Sequence, residues 1–389
     1  MNWQEKIAPA VATLPPSGIR KFFDLAATME GVISLGVGEP DFSAPRRVIE
    51  TCVRSLEDGR TSYTANAGLA ELRQEIAAML QRKYGAVYDW QSEIIITVGV
   101  SEAIDLAMRA ILTPGDEVLI PDPAYVAYPA AVTLAGGTPV LVPTYFKDDF
   151  RLTVAALERM VTPRTKALLI GFPNNPTGTI MGREELLAVA EFANAHDLIV
   201  ISDEIYGELT YTGTHTSMAA LPGMKERTIL LNGFSKAHAM TGFRVGYFCA
   251  PAEVVAMMNK IHQYAILCAG VTGQYGAITA LRECDADVEA MKAEYNRRRQ
   301  YIYRAMCDMG LPVFEPQGAF YIFPDISVTG LDDTAFAEQL LQEEKVAVVP
   351  GSAFGEQGRG HVRCSYATGM EQLQEALRRM AAFVARHRA

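Results

Sequence analysis

Apolar runs of strand length alternate with amphipathic stretches of helix length through the middle of the chain, and this alternation narrows the possible folds more than any other feature. The runs at 94–98, 117–121, 138–142, 166–172, 198–202, 228–232 and 245–250 read as strands. Between them, 102–112 places Ile104, Ala107, Met108 and Ile111 on one stripe, and 183–196 repeats that spacing with Leu186, Val189, Ala190 and Ala193. Strands joined through helices become parallel neighbours, so the expectation is an α/β unit with a mainly parallel seven-stranded sheet between helices. Beyond about Asp287 the pattern changes to a long charged helix, short strand candidates at 318–323 and 346–349, and a closing helix from Met370. The expected organisation is an N-terminal arm over 1–40, a large unit over 41–286 and a smaller α+β unit over 287–389. The arm, punctuated by Pro15, Pro16 and Gly18, is too short to fold alone and is expected to pack on the smaller unit.

With 389 residues and 49% apolar content the chain can bury a large core. Its formal charge of -10 is spread along the sequence, and no run of Lys and Arg suits a phosphate backbone, which argues against nucleic acid as a partner. No stretch reaches the roughly eighteen uncharged apolar residues of a membrane span. The first residues lack a long apolar run, so the expected location is the cytoplasm. Cys52, Cys249, Cys268, Cys284, Cys307 and Cys364 lie far apart with no C-x-x-C pair, as expected of reduced, mostly buried thiols. The six histidines form no H-x-H or H-x-x-x-H pair, so no metal site is expected.

Ligands of open parallel sheets gather beyond the carboxyl ends of the strands, which directs attention to the residues just past each apolar run. After IIITV comes Gly99-Val100-Ser101-Glu102, opening a helix; after KALLIGF comes PNNPTG; after LIVIS comes Asp203-Glu204-Ile205-Tyr206; after TILLN comes Gly233-Phe234-Ser235-Lys236. A lysine held at a sheet edge in low dielectric, near Arg244, is pushed toward its neutral amine, which condenses with aldehydes. Taken alone it is equally a solvated strand-end lysine. The planar fork of Arg244 suits a phosphate. Gly99, Val100 and Ser101 at a helix start offer free N–H groups to an anion, or simply a serine cap. Asp203 ends an apolar strand, where a carboxylate needs a cation such as a protonated ring nitrogen; otherwise it is a turn or capping residue. Asn175 and Tyr206 are placed to donate to a phenolate on the same ring. GVGEPD, at 36–41, begins like a dinucleotide-binding loop, but Pro40 and Asp41 stand where a third glycine and a helix should be. The aromatics of YDW (88–90) read as packing.

GVSEA, PDPAY, NNPTG, SDEIY and SKAHAMTGFRVGY, with GAFYIFP and RCSYA after them, closely resemble the class I/II aminotransferases of fold-type I, in the family's order and over nearly the whole chain. The resemblance implies a pyridoxal 5'-phosphate enzyme that moves amino groups between an amino acid and a 2-oxo acid by a ping-pong mechanism. Lys236 would carry the cofactor as an imine and shuttle the proton between the substrate α-carbon and the cofactor. Asp203 would pair with the ring nitrogen, Tyr206 and Asn175 with the ring oxygen, and Tyr125 would lie on the ring face. Gly99, Val100, Ser101, Ser235 and Arg244 would hold the phosphate, with Tyr63 reaching in from the other subunit of a homodimer. Arg363 would grip the substrate carboxylate, assisted by Asn175 and the backbone at Gly38. The family implies a mobile N-terminal lid containing Arg20 and Phe22.

One departure stands out: many relatives place Ser or Thr where this chain has Gly233, and Ser235, a backbone N–H or a water is left to take that role. Alternative functions on the same resemblance are a carbon–sulfur lyase, which eliminates instead of exchanging amino groups, and a regulator that senses the cofactor. The second is disfavoured by the absence of a basic patch and of room for a DNA-binding module before Gly36. Among aminotransferases the pattern is closest to those handling aromatic amino acids, alanine, aspartate or N-acetyl-diaminopimelate. The absence of lysine at Ser101 argues against aspartate.

Overall fold

The computed structural model describes residues 1–3, 6–15 and 29–388; Arg20 and Phe22 lie outside them. The strands are β1 (Ile33–Ser34), β2 (Ile94–Thr97), β3 (Glu117–Asp122), β4 (Thr138–Pro143), β5 (Thr165–Gly171), β6 (Ile199–Asp203), β7 (Thr228–Gly233), β8 (Gly246–Cys249), β9 (Tyr321–Ile322), β10 (Val346–Ala347), β11 (Val349–Pro350) and β12 (Val362–Ser365). β2 to β8 form one seven-stranded sheet in the order β2-β8-β7-β6-β5-β3-β4. Its ladders are parallel except around β8, which runs antiparallel to both β2 and β7. The expected α/β architecture with a mainly parallel sheet is therefore present.

The burial of each strand follows from its neighbours. β3 is buried at every position: Val118 and Ile120 enter the core on one face of the sheet, and Leu119 enters the core on the other. Each such Ile, Val or Leu contributes roughly 1.5–3 kcal/mol when fully buried. β4, at the edge, is half exposed and carries Pro139 and Pro143, residues a sheet accommodates at its margin. Helices Gly99–Ile111 and Ala127–Leu134 cover one face, and helices Val154–Met160 and Arg183–Ala195 the other. The chain leaves β3 toward one face and β5 toward the other, and a crevice opens where adjacent strands part in this way.

The first of these helices begins at Gly99, three residues before the 102–112 stripe. Glu102 explains the difference: its Oε2 accepts the N–H of Val98 at 2.5 Å, so the apolar periodicity starts only after a first turn stabilised by that carboxylate. Beyond the sheet, helices Asp285–Asp308, Asp333–Glu344 and Met370–His387 surround the antiparallel strands β11, β12 and β9. Their core joins Tyr295, Phe320, Phe336 and Phe383 with Tyr206, Leu209 and Ala237 from the sheet's carboxyl edge. β1 pairs in parallel with β10 and carries Leu35 into the same core. The short helix Pro9–Ala12 lies instead beside Ala127–Leu134.

Candidate active site

A cleft of about 560 Å³ opens at the carboxyl ends of the parallel strands, between the sheet and the C-terminal strands. Gly38, Val100, Ser101, Tyr125, Asn175, Asp203, Tyr206, Ser235, Lys236, Arg244 and Arg363 all line it. Gly99 sits just behind, and Tyr63 stays outside, 83% exposed.

Lys236 Nζ donates to the Gly38 carbonyl at 2.7 Å and lies 5.9 Å from the ring centres of Tyr206 and Phe320. Burial lowers its pKa from the ordinary lysine range to about 8; Arg363 and Arg244 push it down, while the carboxylates of Glu39 and Asp203 oppose them. An amine held near neutrality is a nucleophile, unlike a solvated ammonium.

Asp203, at the end of β6, is 5% exposed. Its Oδ2 accepts from the Tyr128 hydroxyl at 2.9 Å and its Oδ1 from the Ile205 N–H at 3.1 Å. Burial nevertheless raises its pKa to about 6. Tyr128 reaches it only because Gly171 has no side chain: a Cβ there would lie 2.4 Å from the Tyr128 hydroxyl. Tyr206 is oriented by a 2.8 Å hydrogen bond between its hydroxyl and that of Tyr321. Gly38 makes room in the same way, since its Cβ would sit 2.5 Å from the Tyr321 hydroxyl oxygen.

The helix start has the shape of a cradle that could hold an anion. Gly99 has φ +72°, and a Cβ there would meet Arg244 Nη2 at 2.6 Å, so glycine allows the guanidinium to lie against the backbone. Arg244 itself has left-handed backbone (φ 54°), and its Nη1 donates to the Thr241 carbonyl at 2.9 Å. Behind the cradle, Glu102 Oε1 meets Nδ1 of the buried His262 at 2.6 Å, and the other ring nitrogen meets the Asn66 carbonyl at 3.0 Å. This network ties the cradle to the loop carrying Tyr63. Gly233 has a steric origin as well: a Cβ would meet Gly246 Cα at 2.9 Å and the Val245 carbonyl at 3.0 Å, leaving no room for serine or threonine.

Arg363, on β12, is 2% exposed. Its Nη1 donates to Asn175 Oδ1 at 2.9 Å, its Nη2 donates to the Gly36 carbonyl, and its Nε is buried without a partner. Tyr321 and Phe354 stack on it, with ring centres 4.6 and 4.8 Å from the guanidinium carbon. No carboxylate pairs with it among the described residues.

Tyr128, Tyr321, Glu39 and Thr241 also line the cleft, and sequence reasoning gave them no role. Tyr321 lies within GAFYIFP, and Tyr128 comes one helical turn after Tyr125, so both signals were present but lacked an address. Thr241 donates its hydroxyl to Glu39, closing the cleft's rim.

These groups form an unbalanced set. Among the described residues, a desolvated carboxylate has no cation in contact, two guanidinium groups have no anion, and burial lowers a lysine to a pKa of about 8. Pyridoxal 5'-phosphate and an amino acid together would fit this set, with a protonatable ring nitrogen for Asp203, a phosphate for the helix start and Arg244, an aldehyde for Lys236 and a carboxylate for Arg363.

Comparison with known proteins gives the family. A family model described as aminotransferase class I and II matches residues 30–380. The Bacillus subtilis protein YugH, named as an aminotransferase, is 55% identical over 96% of this chain and 97% of its own length. An aspartate aminotransferase of Pyrococcus abyssi is 50% identical over 94% of this chain and 95% of its own. The crystal structure of an aromatic aminotransferase from Pyrococcus horikoshii superposes with a TM-score of 0.90 at 46% identity, covering 95% of this chain and 99% of that one.

Proposed function

Because this chain belongs to the aminotransferase class I and II family, and so transfers amino groups between an amino acid and a 2-oxo acid, we propose that it does so with pyridoxal 5'-phosphate held in the cleft at the sheet's carboxyl edge. The observation that carries this reading is the convergence on one cleft of Lys236 and Asp203, whose pKa values burial displaces, with Arg244 and Arg363, which meet no carboxylate among the described residues.

When bound, the cofactor supplies an aldehyde to which an amine attaches and a ring that withdraws electrons from the substrate α-carbon. The residues divide the remaining work. Asp203, desolvated and short of a cation, holds the ring nitrogen protonated. Tyr206, held by Tyr321, and Asn175, held by Arg363, present polar groups to the ring oxygen. Tyr125 covers a ring face. Val100 and Ser101 offer the helix N-terminus, and Ser235 and Arg244 complete the phosphate cradle. Since Gly233 leaves no space for a hydroxyl, Ser235 takes the role found elsewhere in the family. Arg363 orients the α-carboxylate, with Gly38 beside it. Lys236 then moves a proton at Nζ to and from the α-carbon, a task suited to an amine with a pKa of about 8.

The donor we favour has an aromatic or otherwise uncharged side chain. Among the described residues, the cleft's cations are Lys236, Arg244 and Arg363, each already assigned, while Ile104, Val126, Pro173 and Ile205 offer apolar contact. The aromatic relative supports this choice and the aspartate relative supplies its rival. A homodimer is proposed as well: Tyr63 and Tyr264 are 83% and 88% exposed near the His262 network, where a second copy would cover them. The division into an arm (1–40), a cofactor unit (41–286) and a C-terminal unit (287–389) is proposed on the core built mainly by residues after 287, which β1 and the sheet's carboxyl edge join.

The test is an absorbance titration of the cofactor-loaded protein with single amino acids, without oxo acid, beside Lys236→Ala. Bleaching of a yellow band by aromatic donors, and its return on adding a 2-oxo acid, is expected. Bleaching by aspartate alone would refute the donor assignment. Absence of any band after adding pyridoxal phosphate would refute the site.

A further inference from the structure

The turn that carries Phe354 is held at the end of β3 by a residue with no role in the proposed mechanism. Asp122 ends β3 and is 4% exposed. Its Oδ2 accepts the Gln357 N–H at 3.2 Å, and its Oδ1 is buried without a partner. The fit is close: Gly355 has φ +138°, and a Cβ there would come within 1.6 Å of Asp122 Oδ1. Two residues further on, the Ala124 N–H donates to the Phe354 carbonyl at 3.0 Å. At the other end of the same turn, the Ser352 N–H donates to Asp333 Oδ2 at 2.7 Å. The turn is therefore pinned on one side to the C-terminal unit and on the other to the sheet, and the Phe354 ring between these pins faces the Arg363 guanidinium at 4.8 Å.

We infer that Asp122 is a positioning residue for the substrate-carboxylate site: by seating the Gly355–Gln357 turn it keeps Phe354 stacked on Arg363, so that the guanidinium presents its edge to the cleft. The inference rests on the assignment of Arg363 as carboxylate anchor. Two rings packed against the guanidinium limit its movement, and its Nε is buried without a partner. The contact needs an acceptor at Oδ2 and a small, flat group at Oδ1, and it does not need charge. Burial already pushes the carboxyl up to about 6 against the N–H groups of Gln357 and Glu356, so an amide of the same shape serves equally.

Steady-state kinetics of the cofactor-loaded enzyme, with one amino donor and one oxo acid, test the inference in Asp122→Ala, Asp122→Asn, Phe354→Leu and Arg363→Lys. Losing the ring–guanidinium contact corresponds to roughly a 2- to 30-fold rise in KM for both substrates, which share the carboxylate. That rise is expected in Asp122→Ala and Phe354→Leu with kcat within about twofold of the parent, while Asp122→Asn restores the parent KM. Should Asp122→Ala be recovered unfolded, Asp122→Ser, whose hydroxyl stops short of the Gln357 N–H, is measured in its place. A raised KM in Arg363→Lys with an unchanged KM in Asp122→Ala overturns the positioning role alone, as does an Asn variant as impaired as Ala. An unchanged KM in Arg363→Lys overturns the anchor assignment itself.

Discussion

Replacing Asp203 by Asn should stabilise the cofactor-free protein at neutral pH while weakening its hold on the cofactor. Burial raises the Asp203 pKa from 3.8 to about 6. A carboxyl whose folded pKa lies above its unfolded value contributes stability that is fully present below about pH 4 and is lost as pH rises through about 6. Two pH units correspond to roughly 3 kcal/mol. The ionised carboxylate therefore costs the cofactor-free fold roughly 1.5 kcal/mol at pH 5 and roughly 3 kcal/mol at pH 8. Asparagine keeps the shape and removes the charge. Its oxygen accepts from the Ile205 N–H and its amide donates to the Tyr128 hydroxyl, whose own proton then loses its acceptor and takes about 1 kcal/mol from the gain. Urea unfolding of the two cofactor-free proteins from pH 5 to 8 should show the variant more stable, by a margin that widens with pH. With pyridoxal phosphate the margin shrinks or closes, because a charge-assisted pair contributes about 1.5–3 kcal/mol, or roughly 10- to 150-fold in affinity. A variant less stable than the parent by the same amount at every pH would refute the argument, because it would mean the carboxylate is well solvated or already paired.

The same geometry sets three further expectations. In cofactor-free protein, acylation of Lys236 by an amine-directed reagent, read by mass spectrometry, should rise with a midpoint near pH 8, since burial depresses the ammonium form; a midpoint in the ordinary lysine range would count against a desolvated amine. Gly233→Ser, which restores the residue type of many relatives, should destabilise the protein by about 1–3 kcal/mol through overpacking and bring no gain in cofactor affinity by spectroscopic titration. Tyr128→Phe removes the hydroxyl donor of Asp203, worth about 1.5–3 kcal/mol, and so should raise that carboxyl's pKa by about one to two, read by infrared difference spectroscopy of the acid band. Gly171→Ala should reproduce the rise by pushing the same hydroxyl away, and an unchanged band in both variants would show that Tyr128 does not tune Asp203.

Much of the site was legible because chain order encodes it. A parallel sheet delivers the end of every buried strand to one edge, so the residues after IIITV, KALLIGF, LIVIS and TILLN had to meet, whatever the details of packing. Gly99, Asn175, Asp203 and Lys236 follow from that rule. Arg363 and Gly38 come from other parts of the chain, and only the family resemblance assigned them. Tyr63 shows a limit of another kind: its proposed role depends on a symmetry axis, and within one chain it is an exposed tyrosine on a firmly held loop.

Residues whose role is defined by an encounter between distant segments were the least legible. Gly171, Gly38 and Gly233 read simply as glycines in sequence, yet each is required by something arriving from elsewhere: the Tyr128 hydroxyl, the Tyr321 hydroxyl and the backbone of β8. The departure at Gly233 illustrates the point. In sequence it is a missing phosphate ligand, a loss that calls for compensation. In the structure it is where β7 meets β8 at Gly246, and Gly246 in turn lies against the backbone of Gly99 and Val100, where its Cβ would fall 2.6 and 2.7 Å from Gly99 C and Val100 N. The absent hydroxyl and the close seating of the helix N-terminus are thus one structural choice. Side-chain volume at 233 is exchanged for proximity of the backbone donors at 99 and 100 to the proposed anion site, where Ser235 is left to supply the hydroxyl. A serine at 233 would push β8 away from the helix start and disturb the cradle it was meant to complete.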